Sequence, residues 1–549
     1  MLRALPVLAL LLASGCKGED PDAETPETPE IAGVEVPPAP LARLSVDDYE
    51  RTLRVIFGDD AIDAVQPQID ALPQDAPEGE GLFSRDDQRT SQRHIDQHYA
   101  IADALARASA GDGALRVRLG GACETVDDAC LQPFATALLD KVLRRPPTDA
   151  EVSALLAPVG EFDGTDRVHA IVFLALMKPE LVYHLENQGS DEDGMVALTG
   201  YELASRLSYH FWGEPPDAEL LDAAADGSLL TDEGLRAQVD RLFDDPRTEL
   251  TLREFFEEWL HLRRGDFLPG PRHDRLSGGM DTTGLSAEMR EETHALLYHA
   301  IYAEPHTWSD VLLTRESFAR SDRLASLYGV DAWDGSGARP QLPPAERAGL
   351  LTRAGVLATS DGSTNPFRRG AFIRRLVLCE HVNPPPGNLP PDALVPPETT
   401  ASTSTRDAFA AKVEGAQCRD CHAQFSALGY AMESYDGFGR FRTREQLVDS
   451  AGRDLGFVDV DAAVTTRIDG EEVALAGGVA LSEQIAGSED ARQCLARQYF
   501  RFAHRRVETG ADAGLIGHWS DALADGEPMG PWLRRIALHA SFRYRAIEE

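Results

Sequence analysis

Thr199-Gly-Tyr-Glu-Leu-Ala-Ser-Arg-Leu-Ser-Tyr-His-Phe-Trp-Gly213 is the stretch that decides the fold class of this 549-residue chain. Its first residue and Glu202 have the spacing of a capping box, in which two side chains satisfy free amide groups at a helix start. Leu203, Leu207 and Phe211 follow at four-residue spacing, which places them on one face of a helix. The stretch therefore predicts an amphipathic helix with a defined first turn.

The same pattern continues on both sides of this helix. Ser45-Val-Asp-Asp48 resembles a capping box, and Gly58 is a typical helix stop. Apolar side chains alternate, as in strands, over residues 455–480. Further helices are predicted near 91–110, 131–144, 148–157, 232–244, 247–263, 286–303 and 346–358, and over most of 482–549. The prediction is an all-α, multi-domain protein with a small β element near 455–480.

Cys418-Arg-Asp-Cys-His422 is the motif with the strongest chemical implication. A c-type haem needs two thiols that add across its vinyl groups and an adjacent imidazole that ligates the iron. Two cysteines three residues apart on a helix, followed directly by histidine, meet that need. A thioredoxin-like redox pair would need a βαβ context, and a zinc site would need a second Cys/His pair nearby. The motif therefore predicts one covalent haem c on Cys418 and Cys421, with His422 as the proximal iron ligand.

Aromatic and basic residues crowd the segments around this motif, as a haem pocket would require. The chain is only 7% aromatic, yet this region holds Phe409, Phe425, Tyr430, Tyr435, Phe438 and Phe441. The arginines that are candidates to pair with haem propionates are Arg368, Arg369, Arg374, Arg375, Arg440 and Arg442. For each single arginine, a solvated surface charge is the alternative.

The distal iron ligand decides between an electron carrier and an enzyme. A sixth protein ligand closes the iron and favours electron transfer, whereas an open position favours reaction with a substrate. Met432, ten residues after His422, is the first choice, although this spacing is tight for a chain that has to pass round the ring. The alternatives are His381, His504, His518 and His539.

The segment that begins at the Cys-x-x-Cys-His motif and ends at Arg442 resembles the haem segment of the planctomycetal-type cytochromes. These are large exported bacterial proteins built of consecutive domains of unknown function. The stretches at 198–213, 244–247 and 256–260 resemble the central domain of this family, and 144–151 resembles the helical domain before it. Residues 365–370 with 384–386 resemble the start of its haem domain, and 498–506 with 541–543 its closing domain. The resemblance covers roughly residues 40 to 549 and implies this architecture and a haem, but no reaction.

The N-terminus reads as an export signal. Arg3 precedes an apolar run over 4–13, and Ser14-Gly-Cys16 looks like a lipoprotein cleavage site at which Cys16 is lipidated. Ordinary cleavage with loss of Cys16 is the alternative. Residues 17–40 are rich in Pro, Glu and Thr and are expected to be an extended tether. These features predict a periplasmic, outer-membrane or cell-surface lipoprotein that meets the membrane through its lipid anchor only.

Seven cysteines in an exported chain indicate covalent chemistry. Setting aside the lipidated cysteine and the two of the haem motif leaves four. We expect these to form two disulfides, Cys123–Cys130 and Cys379–Cys494, with buried free thiols as the alternative.

The formal net charge of −38 and the pI near 4.7 describe a strongly acidic protein. Binding to nucleic acid needs clustered Lys and Arg, so that class of partner is excluded. An acidic surface favours solubility and suits a basic redox partner protein.

Two other groups of residues could suggest a metal site or a catalytic site, but we expect them to have structural roles. His94 and His98 have the spacing of a helical metal site, but a third ligand is not evident, and we expect them to face solvent. Glu254, Glu257 and Glu258 resemble paired glycosidase carboxylates, but we expect them to be the solvated face of a helix.

At 549 residues the chain is too long for one core. The predicted division is a signal peptide over 1–16, a tether over 17–40, N-terminal helical domains over 41–160, a central helical domain over 165–265, a helical connector over 266–345, a cytochrome c-like haem domain over 346–480 and a C-terminal helical domain over 482–549.

The leading functional hypothesis is single-electron transfer at the cell envelope. The residues before the haem motif exceed what electron transfer requires, and two alternatives therefore stay open. One is a haem-dependent oxidoreductase that acts on an unknown, bulky or polymeric substrate. The other is a surface-binding lipoprotein in which the haem is structural.

Overall fold

The computed structural model describes residues 42–76, 83–86, 89–121, 123–192, 195–263, 265–384 and 395–546. These residues belong to one packed unit. The predicted signal peptide, Cys16 and the tether lie outside the described residues, and they stay predictions. The proposed division into domains also stays a prediction.

Helices form the N-terminal region. The first one begins and ends as its sequence predicts, because the Ser45 hydroxyl accepts from the Asp48 amide at 3.1 Å and Gly58 ends it at a φ of 87°. The apolar faces meet in a cluster that includes Leu53, Phe134 and Ile171. The helices here are Val46–Phe57, Asp59–Asp63, Gln66–Ile69, Gln92–Gly111, Gly113–Gly120, Asp128–Leu143, Asp149–Leu156, Asp166–Leu176 and Pro179–Val182.

The largest hydrophobic cluster joins the middle and the C-terminal end of the chain. The capping box of Thr199 with Glu202 is formed as predicted, and it starts the helix Gly200–Phe211. Trp212 and Trp259 are buried in this cluster, and the Trp259 indole donates to the Leu376 carbonyl at 2.7 Å. The helices of the middle region are Gly200–Phe211, Ala218–Ala225, Asp232–Asp244, Pro246–Trp259, Pro271–Ser277, Leu285–Tyr298, Trp308–Leu313 and Asp322–Tyr328. The C-terminal helices are Gly478–Gly487, Glu489–His504, Ala513–Ala524 and Met529–Leu538.

The helix predicted for 346–358 is wrong. The structure has a 3₁₀ turn, Leu350–Thr352, and one α-helical turn, Ala354–Leu357. Gly349 breaks the segment at a φ of 53°, where a Cβ atom would lie 2.0 Å from the Leu312 carbonyl. The guanidinium of Arg353, which is fully buried, binds Glu292 at 2.8 Å and backbone carbonyls. These side-chain contacts hold the segment against the helix Leu285–Tyr298, which contains Glu292.

The predicted β element is present, as two antiparallel hairpins. Asp454–Asp459, Ala463–Ile468 and Glu471–Ala476 lie within the predicted range, and Arg444–Val448 is an additional strand before it. Arg444–Val448 pairs with Asp454–Asp459, and the other two strands pair with each other. Short strands elsewhere are Ala42–Arg43, Tyr183–His184, Ser190–Glu192, Met195–Ala197 and Tyr544–Ala546. The all-α fold class with a small β element is confirmed.

Both predicted disulfides are formed. Cys123 and Cys130 pair at a Cα–Cα distance of 5.1 Å, and so do Cys379 and Cys494. The second disulfide joins the segment after residue 377 to the helix Glu489–His504, 115 residues later in the chain.

Within the part of the chain that the structure describes, helices capable of crossing a membrane are absent, since each is too short or too polar.

Candidate functional site

A short helix, Ala416–His422, carries the Cys-x-x-Cys-His motif. The two cysteines are half-buried and are the free thiols among the described cysteines. Because they are three positions apart on a helix, both thiols project from the same side. The Cys421 thiol lies 3.8 Å from the Asn383 carbonyl oxygen, so the segment around Asn383 contacts the motif. Two unpaired thiols beside an imidazole are the donor set that a covalent haem requires.

The His422 ring is half-buried among aromatic side chains. Its centroid lies 4.1 Å from that of Phe367 and 4.9 Å from that of Phe425. The Ser426 hydroxyl oxygen is 3.5 Å from Nδ1. Burial lowers the pKa of His422, which favours the neutral imidazole that ligates iron.

A helix packed against the motif supports this arrangement. The α-helix Pro366–Phe372 continues into a π-helical turn, Ile373–Val377, and the two together are called helix 366–377 below. Gly370 allows it to approach the segment after the motif, since a Cβ atom there would lie 2.1 Å from the Phe425 carbonyl oxygen. Gly429 does the same from the other side, at 1.8 Å from the Pro366 carbonyl oxygen. The contact requires glycine at both positions.

Most of the arginines considered for the propionates have other partners. Arg369 and Arg374 are buried, and each donates to several backbone carbonyls. Arg440 pairs with Asp436 at 2.6 Å, and Arg442 pairs with Glu433 at 3.1 Å. Arg368 and Arg375 are exposed on helix 366–377.

The aromatic residues of the region do not form one pocket. Phe425 contacts His422 directly, and Phe409 is near it through Phe367. Sequence reasoning missed Phe367 because it lies 55 positions before the histidine. The Tyr435 hydroxyl donates to the Glu346 carbonyl at 2.5 Å, and Phe438 packs on Phe267. Phe441 contacts Tyr435, and Tyr430 lies under the guanidinium of Arg406.

The candidate distal ligands lie in different surroundings. Met432 is 2% exposed in the largest hydrophobic cluster, and its sulfur packs against Gly478. His381 is exposed, and its Nε2 is 3.1 Å from the side chain of Asn383, the residue whose carbonyl contacts the motif. His504 and His539 are in the C-terminal region, where burial lowers the pKa of both, and His518 lies beside Arg535. Met432 as the distal ligand stays a prediction.

A cavity of about 980 Å³ lies on the other face of helix 366–377. Phe367, Gly370 and Arg374 face the motif side, whereas Arg368, Phe372 and Arg375 line the cavity. The opposite wall comes from the end of the helix Pro246–Trp259 and the loop after it, through Glu257, Glu258 and His261. Met432 also lines it.

Two consecutive segments of the chain match family models. Residues 198–330 match PSD4, a protein of unknown function (DUF1592), and residues 347–445 match PSCyt3, a protein of unknown function (DUF1588). These are consecutive domains of planctomycetal-type cytochromes. The chain belongs to the planctomycetal-type cytochrome c family. Matches to curated proteins and to solved structures are absent.

In this member of the cytochrome family, the cavity combines residues from both matched segments. Glu257, Glu258 and His261 belong to the first, and Arg368 and Arg375 to the second. The Cys-x-x-Cys-His motif belongs to the second segment only.

The expectation that Glu254, Glu257 and Glu258 are solvated is wrong. Glu254 is 4% exposed and lies within 3.5 Å of Arg51 and Arg85, which come from the N-terminal segments. Glu257 accepts from His294 at 2.8 Å, and Glu258 accepts from the Ser84 amide at 2.9 Å. The helix is covered on this face by residues far away in sequence.

The expectation for His94 and His98 is also wrong. His94 is buried and lies at the start of its helix, 2.9 Å from the Ser91 hydroxyl. His98 packs edge-on against Tyr49 at 4.7 Å, and burial lowers its pKa to about 4. Both histidines are covered because the N-terminal helices pack over them.

Proposed function

We propose that this protein is a c-type cytochrome in which Cys418 and Cys421 hold one haem covalently and His422 ligates its iron. The observation that carries the proposal is the state of the cysteines. Four of the six described cysteines are in disulfides, whereas the two of the motif are free, on one helical face, beside a half-buried imidazole. In an oxidising compartment, a retained pair of close thiols indicates a covalent partner other than sulfur.

When bound, the haem supplies one-electron redox chemistry. The residues of the chain position its protein ligands. Phe367 and Phe425 shield the His422 ring from water, and Ser426 lies beside Nδ1, which leaves Nε2 for the metal. Gly370 and Gly429 hold helix 366–377 close to the motif, so the ring has a rigid support.

We propose single-electron transfer at the cell envelope as the activity. The acidic surface, with a net charge of −38, supports a basic redox partner protein through electrostatic complementarity. The location follows from the proposed signal peptide and lipidated Cys16, which would hold the protein at the periplasmic or outer-membrane surface.

A second candidate function is a haem-dependent oxidoreductase that acts on an organic substrate. The cavity favours it, because a space of about 980 Å³ shares helix 366–377 with the motif. Simple electron transfer does not require such a cavity.

The haem proposal is tested by exporting the full chain in a host that attaches haem c. The wild-type protein is expected to give a c-type pyridine haemochrome spectrum that survives acid–acetone extraction, and the Cys418→Ala/Cys421→Ala variant is expected to give none. The matched control is Cys123→Ala/Cys130→Ala, which removes two cysteines of the disulfide Cys123–Cys130 and should keep the haem. Covalent haem in the first variant would refute the proposal. High-spin ferric iron that binds cyanide readily in the wild type would favour the oxidoreductase.

A further inference from the structure

The cavity beside helix 366–377 is lined from the face of this helix that points away from Cys418 and Cys421. The motif side of this helix carries Phe367 and Gly370, and the cavity side carries Arg368, Phe372 and Arg375. At about 980 Å³, the cavity is at the upper end of the range for small-molecule sites. It also lies where the two matched segments meet, and ligand sites are common at such junctions.

Positive charge without a partner lies at one wall of the cavity. Arg368 and Arg375 are seven positions apart on the same face of helix 366–377, and both are exposed. Among the described residues, carboxylates within ion-pair distance of either side chain are absent. Acidic residues outnumber Lys and Arg by 91 to 53 in this chain, so two arginines on one helix face with no such partner are unexpected. Guanidinium groups bind carboxylates in a two-pronged geometry.

Apolar side chains form one part of the remaining surface of the cavity, and polar and charged side chains form the rest. Phe372 contacts His261 at a ring distance of 6.5 Å, and Val356 and Leu357 are buried beside it. Leu268, at the rim, leaves 61% of its surface exposed. An apolar ligand body would cover Leu268 and remove that surface from water.

Five carboxylates also line the cavity, those of Asp47, Asp75, Glu257, Glu258 and Asp266. Asp75 pairs with Arg43 at 2.6 Å and Glu257 pairs with His294 at 2.8 Å, whereas Glu258 is held partly neutral. Burial and the charge of Glu254, on the same helix, raise its pKa to about 7. Arg263 and the Ser84 amide face it from the neighbouring segments and act in the opposite direction. A neutral carboxyl does not repel an anion and can donate a hydrogen bond to it.

We propose that this cavity binds an amphipathic organic acid, whose carboxylate pairs with Arg368 and Arg375 while its apolar body packs against Phe372 and Leu268. The class is a carboxylate attached to a ring-sized hydrocarbon body. Binding is a property of the folded chain and does not depend on the haem proposal.

The test uses the full-length protein and two probes of the same shape, 2-naphthoate and its uncharged amide, 2-naphthamide. Isothermal titration calorimetry should show saturable binding of 2-naphthoate at one site and weaker binding of the amide. Arg368→Gln/Arg375→Gln should weaken 2-naphthoate binding about tenfold or more, because it removes the charge-assisted hydrogen bonds. Its effect on the amide should be small.

Arg236→Gln is the matched control, since Arg236 is exposed on the helix Asp232–Asp244 and is outside the cavity. It should bind 2-naphthoate as the wild type does. Unchanged thermal unfolding of the double variant would show that its fold is intact, as expected for exposed side chains. Three results would overturn the proposal: no binding of 2-naphthoate, equal affinity for acid and amide, or full affinity in the double variant. The chain expressed without haem should bind 2-naphthoate with the same affinity. A protein that fails to attach haem can therefore still pass this test, and the two proposals fail independently.

Discussion

The Cys-x-x-Cys-His helix and the ionic cluster around Asp48 are opposite kinds of site. The first is contiguous in sequence, lies on a half-buried helix and leaves its thiols free. The second consists of Asp48, Arg51, Arg85, Glu254 and Arg505, from segments spread over almost the whole chain. Asp48 binds Arg51 at 2.6 Å, Arg85 at 3.2 Å and Arg505 at 3.6 Å, and it is fully buried.

This difference separates residues that attach a cofactor from residues that stabilise the fold. A local motif shows its chemistry in its spacing, because cofactor attachment needs only a few neighbouring groups. A buried ionic cluster exists only after distant segments meet, and each of its members looks like a surface charge in the sequence. We therefore expect changes in the cluster to act on folding and changes in the motif to act on the cofactor.

The largest effect on folding is expected for Asp48→Asn. Burial alone would raise the pKa of Asp48, but the charges of Arg85, Arg51 and Arg505 outweigh it and hold the pKa below its usual range. Removing this carboxylate leaves buried arginines without their central counter-charge, which costs about 3–5 kcal/mol. Equilibrium denaturation at pH 7 measures the loss. The control is Asp60→Asn, an exposed aspartate on the next helix, for which we expect less than about 0.5 kcal/mol. Equal losses for both would show that the cluster contributes nothing specific.

Glu258→Gln tests a group whose burial is unfavourable. The pKa of Glu258 is raised from 4.5 to about 7, mainly by burial, so its ionisation costs folding free energy. Below pH 4.5 both states are protonated, and the cost grows as the pH rises through 7, to at most about 3 kcal/mol. The variant should therefore be more stable than the wild type at pH 8 and equal to it at pH 4.

Its neighbour is the control of opposite sign. Burial would raise the pKa of Glu257, but hydrogen bonds from His294 and Arg263 outweigh this and lower it to about 2. Glu257→Gln should thus lose stability at neutral pH, and the loss should shrink as the pH falls below 4.5 and approaches 2. Thermal unfolding between about pH 2 and pH 8 measures both curves, and parallel curves for the two variants would contradict the assignment.

The two disulfides repeat the contrast between local and distant contacts. The disulfide Cys123–Cys130 closes a loop between residues 7 positions apart, and Cys379–Cys494 closes a loop between residues 115 positions apart. In the chain-entropy model the longer loop contributes about 2.5 kcal/mol more. Replacing each pair by alanine and comparing denaturant midpoints under non-reducing conditions measures the difference. A larger loss for the short loop would mean that the stabilisation does not come from the unfolded chain.

Sequence reasoning succeeded where the cause of a structure is local. Ser45 and Thr199 start their helices because the capping residues are within four positions. The Cys-x-x-Cys-His motif is local in the same sense, and its role in haem attachment stays a prediction. Reasoning failed at residues 346–358, because Gly349 takes a positive φ where it packs on Leu312, and because Arg353 is held by Glu292 and by the Glu316 carbonyl. Periodicity cannot reveal such partners.

The surroundings of the candidate site were only partly predictable for the same reason. Phe409 and Phe425 were expected near the haem, but the ring nearest to His422 is Phe367, on a separate helix. Gly370 and Gly429 allow this helix to approach, because a Cβ atom at either position would clash with the other segment. The sequence alone does not show that these two glycines lie at one contact. The cavity lined by Glu258 and Arg368 likewise joins segments about 110 residues apart.

Met432→Leu is expected to have the smallest effect, and it sharpens the contrast between motif and core. Met432 is 2% exposed and packs against Gly478, and its backbone carbonyl accepts a hydrogen bond from the Arg369 guanidinium at 3.1 Å. Leucine has nearly the same volume, so the loss of stability should be below about 1.5 kcal/mol. If packing is the role of this residue, the absorption spectrum of the ferric haem protein should not change. Phe425→Leu provides the comparison, since Phe425 contacts His422 at 4.9 Å and should alter the spectrum with a comparable loss of stability. Loss of a sulfur-to-iron charge-transfer band in Met432→Leu would instead establish Met432 as the distal ligand and assign this core residue to the haem site.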